Sequence, residues 1–451
     1  MHTGESAKFE TQVLIIGNGP AGIALSAFLS GMHPFYDVCH PHENPTVHEK
    51  LMAAHNISLL DQDLSWSENL SELSQTGRPL SVLYDMLVRP GADVGTNAPG
   101  SLIWEMNAGR EIPHLVVGDG RIGGSWNQYD PEMLTVSFSD WLDMPGFSME
   151  EWLGGVPLVK RLPSIAVASY LNAYTERIGS KKNFLCDIKV TSVKKHGESW
   201  ITEGIRNDGK KIEIKSTAVV IACGKTSPKK LIETASISNP LPLKNCEDNT
   251  VYDSRSLKSR IDVKQHRELD YAQPSTSSEP VVVVGDGISS VDCVRECLER
   301  NIPVVHVIRR TAKQLRNIMM SRLSPTHYSE YTNIYRLMIG REANENYTRI
   351  LEGTVGEVRK NSLNVYTPKG KLTLNYSVLA VCIGRESHFD EILPDTTFLD
   401  YRSQQDDTLF AVGAYVGDHF VRYLVGGCLR VAQHIVACQK ICTNNNNNEK
   451  C

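Results

Sequence analysis

The apolar residues of this chain gather in short unbroken runs closed by glycine, rather than in long alternating stretches. Residues 13–16 read Val-Leu-Ile-Ile, residues 114–117 His-Leu-Val-Val, and residues 281–284 are four valines. Runs of that length with no polar face predict strands buried on both sides, as in a parallel sheet under helices. Two of them stop at a glycine turn and pass into a helical pattern: "VLIIGNGPAGIALSAFLSG" at 13–31 and "PVVVVGDGISSVDCVRECLERNIPVVHVIRR" at 280–310. Two other segments repeat one layout, "RNDGKKIEIKSTAVVIACGK" at 206–225 and "YTPKGKLTLNYSVLAVCIGR" at 366–385. Each has a hairpin turn, a short strand and a buried strand, and each follows short alternating strands. That reads as a β-meander returning to a parallel sheet.

The pattern predicts an α/β chain of two Rossmann-like dinucleotide-binding domains, each with a β-meander. The expected limits are 1–230 plus 372–440 for a discontinuous first domain carrying an insertion at 33–112, and 270–371 for the second. A Pro-Ser-Thr-Ser-Ser linker at 274–278 marks the entry to the second, and Gly224 and Gly384 fall near the crossings between domains, close to the two nucleotides. The stretch 441–451, with its asparagine run, predicts a disordered tail.

The glycine turns carry the candidate chemistry. In the first, Gly17 permits the turn, Gly19 lets a pyrophosphate approach the backbone, and Gly22 lets the helix that begins Pro20-Ala21 pack on the strand. NAD, NADP and FAD all use this device. In the second, Gly285 and Gly287 are followed by Ser289-Ser290, with Ser290 in place of the third glycine. Two such sites in one chain imply two nucleotides and electron transfer between them. Arg309 and Arg310 end the next strand, where an NAD site would carry an acid, so they predict a 2′-phosphate and a preference for NADPH. Gly123, Gly124 and Trp126 follow the 114–120 strand, where glycines admit a cofactor and a tryptophan can cover its ring.

Composition narrows the picture. A net charge of −5 over 451 residues leaves no basic field for nucleic acid, and no apolar stretch is long enough to span a bilayer. A cytoplasmic setting is the expectation. The 11 cysteines contain no C-x-x-C, which argues against a flavin disulfide reductase. The insertion opens with His33, Cys39, His40, His42, His48 and His55, which lack familiar metal-ligand spacing and predict a solvated loop with no metal.

Taken in order, Gly17-x-Gly19-x-x-Gly22, Gly123-Gly124-x-Trp126 and Gly285-x-Gly287-x-Ser289-Ser290 resemble the flavin-containing monooxygenase superfamily. Within it, "DMLVRPGADVG" (85–95), "IPHLVVGDGRIGGSW" (112–126), "WLDMPGFSMEEW" (141–152) and "LSPTHYSEYTNIYRLM" (323–338) look like the oxidative stress-induced growth inhibitor family. The resemblance implies FAD at the first turn and NADPH at the second. It further implies an NADPH-dependent monooxygenase using O2 and a C4a-hydroperoxyflavin on an unnamed small molecule, linked to growth restraint and oxidative stress. A regulatory flavoprotein with weak NADPH oxidase activity and protein partners, or a flavin reductase without a redox dithiol, are the other readings.

Against the family pattern, Asp119 stands for the FAD ribose acid, with Asp37 or Glu43 as alternatives if the second strand precedes the insertion. Ser137 and Ser139 stand where the family's asparagine is expected and are the candidates for flavin or nicotinamide contact. The C-terminal Gly-Asp is Gly413-Ala414 unless Gly417-Asp418 serves, and Asp418 with Gly426-Gly427 are candidates at the start of the last helix. Tyr328, Tyr331 and Tyr335 form a stripe at helical spacing, a packing pattern more than a pocket wall.

Overall fold

In the computed structural model, residues 6–70, 78–96, 98–156, 158–231, 249–270 and 279–448 are described. The expected linker at 274–278 lies outside them. The chain divides into two units, Met1–Thr226 with Ser387–Cys451, and Ser227–Glu386.

In the first unit the strand Ala7–Ile16 lies between His114–Val117 and Lys211–Ile221, both parallel to it. Phe184–Leu185 and Leu409–Ala411 extend the parallel sheet on either side. Successive side chains of a strand face opposite ways. Val13 and Ile15 pack under the helices Pro20–Leu29, Ser164–Arg177 and Val421–Asn448, whereas Leu14 and Ile16 face the meander Ile188–His196, Ser199–Arg206 and Lys211–Ile221. Both faces are covered, so the run needs no polar position. The first helix is buried from Ala21 through Leu29, and its Ala, Gly and Ser residues let neighbours approach closely.

The insertion departs from expectation. Leu51, Leu59, Leu60, Leu64, Leu80, Leu83, Tyr84 and Leu87 enter the same core as Ile15. Its histidines are tied into local structure: His33 Nδ1 meets the Ser58 hydroxyl at 3.0 Å, His48 Nδ1 meets the Tyr36 hydroxyl at 2.8 Å, and His40 pairs with Asp37 at 2.7 Å. The solvated loop is thus corrected for this segment, because a helix at Pro79–Val88 gives it an apolar face to bury. That helix lies on the last one. A Cβ on Gly426 would stand 2.5 Å from Ser81 Cα, and one on Gly427 2.6 Å from the Tyr401 ring. Packing alone therefore requires glycine at these two positions. The last helix also runs through the asparagine stretch to Asn448, where composition predicts a disordered tail. Among the described residues no helix is long and apolar enough to cross a membrane.

In the second unit the parallel order is Thr250–Val251, Val378–Val381, Val281–Val284, Val304–Ile308, Tyr347–Leu351. The antiparallel strands Thr354–Val358, Ser362–Thr367 and Gly370–Asn375 form its meander. Residues 372–386, expected in the first domain, therefore belong here. The wholly buried Val378–Val381 finds strand partners on both sides only in this sheet. The unit boundaries at Thr226 and Glu386 come just after Gly224 and Gly384.

A buried charge pair fixes the insertion to the last helix. Asp85 and Arg422 are each 3% exposed; Arg422 Nε donates to Asp85 Oδ2 at 2.9 Å and its Nη1 to Asp93 Oδ1 at 3.0 Å. The guanidinium lies over the Trp141 ring at 4.5 Å. Burial pushes the Asp85 pKa up, opposed by the Arg422 hydrogen bond and charge. Asp85→Ala leaves Arg422 buried with one peripheral partner, takes the carboxylate from the buried side chain of Arg89, whose Nη1 lies 3.3 Å from Asp85 Oδ1, and should cost about 3–5 kcal/mol in urea unfolding. Asp93→Ala, at a side chain 78% exposed, should cost under about 1 kcal/mol. Equal losses would overturn this account.

Candidate functional site

The first glycine turn is main chain packed on main chain. Ile16 pairs with Ile221 on one side and Val117 on the other, so the chain leaves the strand through a narrow slot. A Cβ on Gly17, at φ +126°, would stand 2.3 Å from the Ala222 carbonyl carbon, and one on Gly22 would stand 1.9 Å from the Gly17 oxygen. Gly19 is different: a Cβ there meets nothing within 4 Å, and its φ is −81°. The protein's own packing gives no reason for glycine at 19, whereas a group lying on the turn does. The helix from Pro20 starts without a capping side chain, while the helix Pro45–Met52 is capped by Asn44. Uncapped first-turn N–H groups at the positive end of a helix suit a phosphate.

Residues 118–124 fold over this turn, and Asn18 binds the two together. Its Nδ2 donates to the Gly120 oxygen at 2.7 Å and its carbonyl accepts from Gly123 N–H at 2.9 Å. A Cβ on Gly118 would collide with the Asn18 side chain, and one on Gly124 would stand 2.9 Å from Gly19 Cα. Gly413 completes the surround, since its Cβ would stand 2.8 Å from that of Ala21. The strand beside Ala7–Ile16 is His114–Val117, after the insertion, and among the described residues Met32–Tyr36 pairs only with Leu102–Met106. Asp119 thus follows the second parallel strand and is exposed, and the alternatives Asp37 and Glu43 lose their premise.

The slot recurs in the second unit. A Cβ on Gly285, at φ +135°, would stand 2.2 Å from the Cys382 oxygen, while one on Gly287 meets nothing within 4 Å. The helix Ile288–Glu299 again starts without a capping side chain. Ser290 is fully buried and its hydroxyl donates back to the Gly287 oxygen at 2.7 Å, while Ser289 is exposed. His306, also fully buried, sets the turn from beneath. Its Nε2–H donates to the Gly285 oxygen at 2.8 Å and its Nδ1 accepts from the Tyr347 hydroxyl at 3.0 Å, the only roles open to a neutral ring facing a carbonyl. Burial holds its pKa down to about 4.

The remaining expected residues divide. Arg310 pairs with Asp286, between the two glycines, while Arg309 is exposed and forms no ion pair with a described residue. Trp126 is half-buried and meets Tyr129 edge-on at 5.6 Å. The Ser139 hydroxyl, 1% exposed, donates to the Val159 oxygen at 2.6 Å, and the Ser137 oxygen accepts from the Thr135 hydroxyl at 2.7 Å. Asp418, 4% exposed, pairs with Arg78, which also donates to the Val416 oxygen. Gly224 and Gly384 adopt φ of +65° and +105°. Tyr328 and Tyr331 stack at 6.5 Å, and the Tyr335 hydroxyl donates to the Leu315 oxygen at 3.2 Å.

Sequence reasoning missed Asn18, Asp286, His306 and Arg78. The first two occupy the variable place of the glycine motif, where no residue type is prescribed. It also missed Cys293 and Cys382, 89 residues apart, with sulfurs 3.7 Å from each other in the second unit.

Two expectations follow. Gly19→Ala and Gly287→Ala should change unfolding stability by less than about 0.5 kcal/mol, whereas Gly22→Ala and Gly285→Ala should lose about 2–4 kcal/mol; equal losses within a pair would refute the packing argument. The unfolded His306 ring takes up a proton near 6.5 and the folded one near 4. Its contribution to stability is therefore full above pH 6.5 and lost as pH falls toward 4. Between pH 7.5 and 4, wild type should lose about 3 kcal/mol more than His306→Gln, read from urea curves at both pH values.

Over 458 residues the chain is 62% identical to the oxidative stress induced growth inhibitor homolog of Caenorhabditis elegans, covering 99% of this chain and 98% of that protein. It is 28% identical over 488 residues to Homo sapiens oxidative stress-induced growth inhibitor 2, covering 97% and 95%. Among solved structures, the bacillithiol disulfide reductase of Bacillus cereus superposes with a TM-score of 0.56 at 14% identity, over 94% of this chain and 99% of that one. A flavin-containing monooxygenase of Stenotrophomonas maltophilia does so at 0.51 and 11% identity, over 95% and 99%. No family model matches the chain. The two structural likenesses give the fold, that of flavoproteins with two dinucleotide-binding domains. With a relative of 62% identity aligned along nearly the whole of both proteins, the chain belongs to the oxidative stress-induced growth inhibitor family.

Proposed function

We propose that this chain is a flavoprotein oxidoreductase that holds FAD at Gly17–Gly22 and NADPH at Gly285–Ser290, and that it works as an NADPH-dependent monooxygenase. One observation carries the reading: each unit has an open glycine (19 or 287) at an uncapped helix start, beside glycines that packing alone requires. Bound flavin would accept hydride from the nicotinamide and deliver the electrons to O2. The chain's part is placement. Gly19 and the first-turn N–H groups of the helix seat the FAD pyrophosphate, with Asn18 holding residues 118–124 over it. In the second unit Gly287 seats the NADPH pyrophosphate, and Arg309 and Arg310 face the 2′-phosphate. A role in growth restraint under oxidative stress follows from the names of the relatives.

A second reading has its own support. Ser139 and Asp418, expected at the flavin, are turned into the protein and bonded to Val159 and Arg78. That favours a regulatory flavoprotein whose turnover is slow and unproductive. Without substrate, NADPH, a proton and O2 would yield NADP⁺ and H2O2.

The purified protein should be yellow with about one FAD per chain, since a single turn of this kind seats one pyrophosphate. Gly19→Val should fold and be colourless. Anaerobic NADPH should bleach the flavin, and air should restore it with release of H2O2. A folded wild type without flavin overturns the proposal; flavin that NADPH reduces only over hours supports the regulatory reading instead.

A further inference from the structure

We propose that Asp286 sets how strongly the second glycine turn distinguishes a 2′-phosphorylated dinucleotide from its unphosphorylated counterpart, by competing with that phosphate for Arg310. The inference rests on the reading of this turn as a dinucleotide site. Asp286 stands between Gly285 and Gly287, and its carboxylate accepts from Arg310 Nη1. Arg310 lies two residues past the strand Val304–Ile308, whose Val307 pairs with Val284 just before the turn. The pair therefore closes the gap between the ends of two adjacent parallel strands, where the adenosine ribose of a dinucleotide lies in such a fold.

The carboxylate cannot drift out of that gap with the turn. Gly285 is blocked by the Cys382 oxygen, and its carbonyl is held by the buried His306 ring. The contact itself is exchangeable, because the Arg310 and Asp286 side chains are 43% and 21% exposed, and ion pairs open to water are weak. A 2′-phosphate, with more charge and three acceptor oxygens, takes the guanidinium from the carboxylate. It then leaves Asp286 an unpaired anion beside the pyrophosphate. A ribose 2′-hydroxyl makes no such demand and leaves the pair intact. Asp286 thus weakens the phosphorylated nucleotide selectively, while exposed Arg309 remains available to it.

The test measures dissociation constants of NADP⁺ and NAD⁺ on the full chain by titration calorimetry, in wild type, Asp286→Asn, Arg310→Ala and the double variant. Asparagine keeps the shape and removes the charge. The preference for NADP⁺ over NAD⁺ should rise about two- to fivefold in Asp286→Asn, the scale of a released exposed ion pair. It should not rise when the same change is made in the Arg310→Ala background. A preference unchanged or lowered in Asp286→Asn overturns the proposal, as does an equal rise without Arg310, which would be plain charge repulsion. If wild type binds neither nucleotide at millimolar concentration, the dinucleotide reading of this turn falls, and this proposal with it.

Discussion

Where parallel strands end, both units bring main chain against main chain more closely than any side chain allows. Gly17 rests on Ala222, Gly22 on the Gly17 oxygen, and Gly285 on the Cys382 oxygen. This crowding sets the path of the chain from strand to helix, and the path aims the first helical N–H groups out of the sheet edge. A side chain at any of these glycines would push the helix off the strand and turn those donors elsewhere. The open positions 19 and 287 are meaningful only against that background, because in a loosely packed turn an empty glycine would say nothing.

A second constraint acts through charge. Asp85 and Arg422 are buried together, 337 residues apart in sequence. The pair couples the insertion to the last helix, and Gly426 lets the two helices approach near Ser81. Such a pair adds little net stability compared with apolar residues, but it penalises every other register of the two helices. The insertion is thereby a fixed part of the first unit's core.

Much of this was legible in the sequence. Unbroken apolar runs ending in glycine read directly as buried parallel strands, and the repeated hairpin layout gave both meanders. What stayed hidden depended on partners distant in sequence. The insertion's leucines show no single clear period, so only the surface of the last helix reveals which face they bury. The strand Val378–Val381 looks the same whichever sheet it joins, and the sheet order alone assigns it. In the site, glycines were readable because their chemistry is restrictive. Asn18, Asp286 and His306 were not, since the motif leaves the place of the first two free and a lone strand histidine carries no signal until its Gly285 partner is known.

The discontinuity of the first unit bears on how the molecule is made. The entire second unit, residues 227–386, is synthesised before the strand Leu409–Ala411 and the last helix. The first helix, apolar on every side, therefore has to wait for its cover; the contact of Cys428 with the Ala21 oxygen spans 407 residues. Contacts of such separation form slowly and leave apolar surface exposed meanwhile. The first unit of this protein can thus close only once the strand Leu409–Ala411 and the last helix have been made.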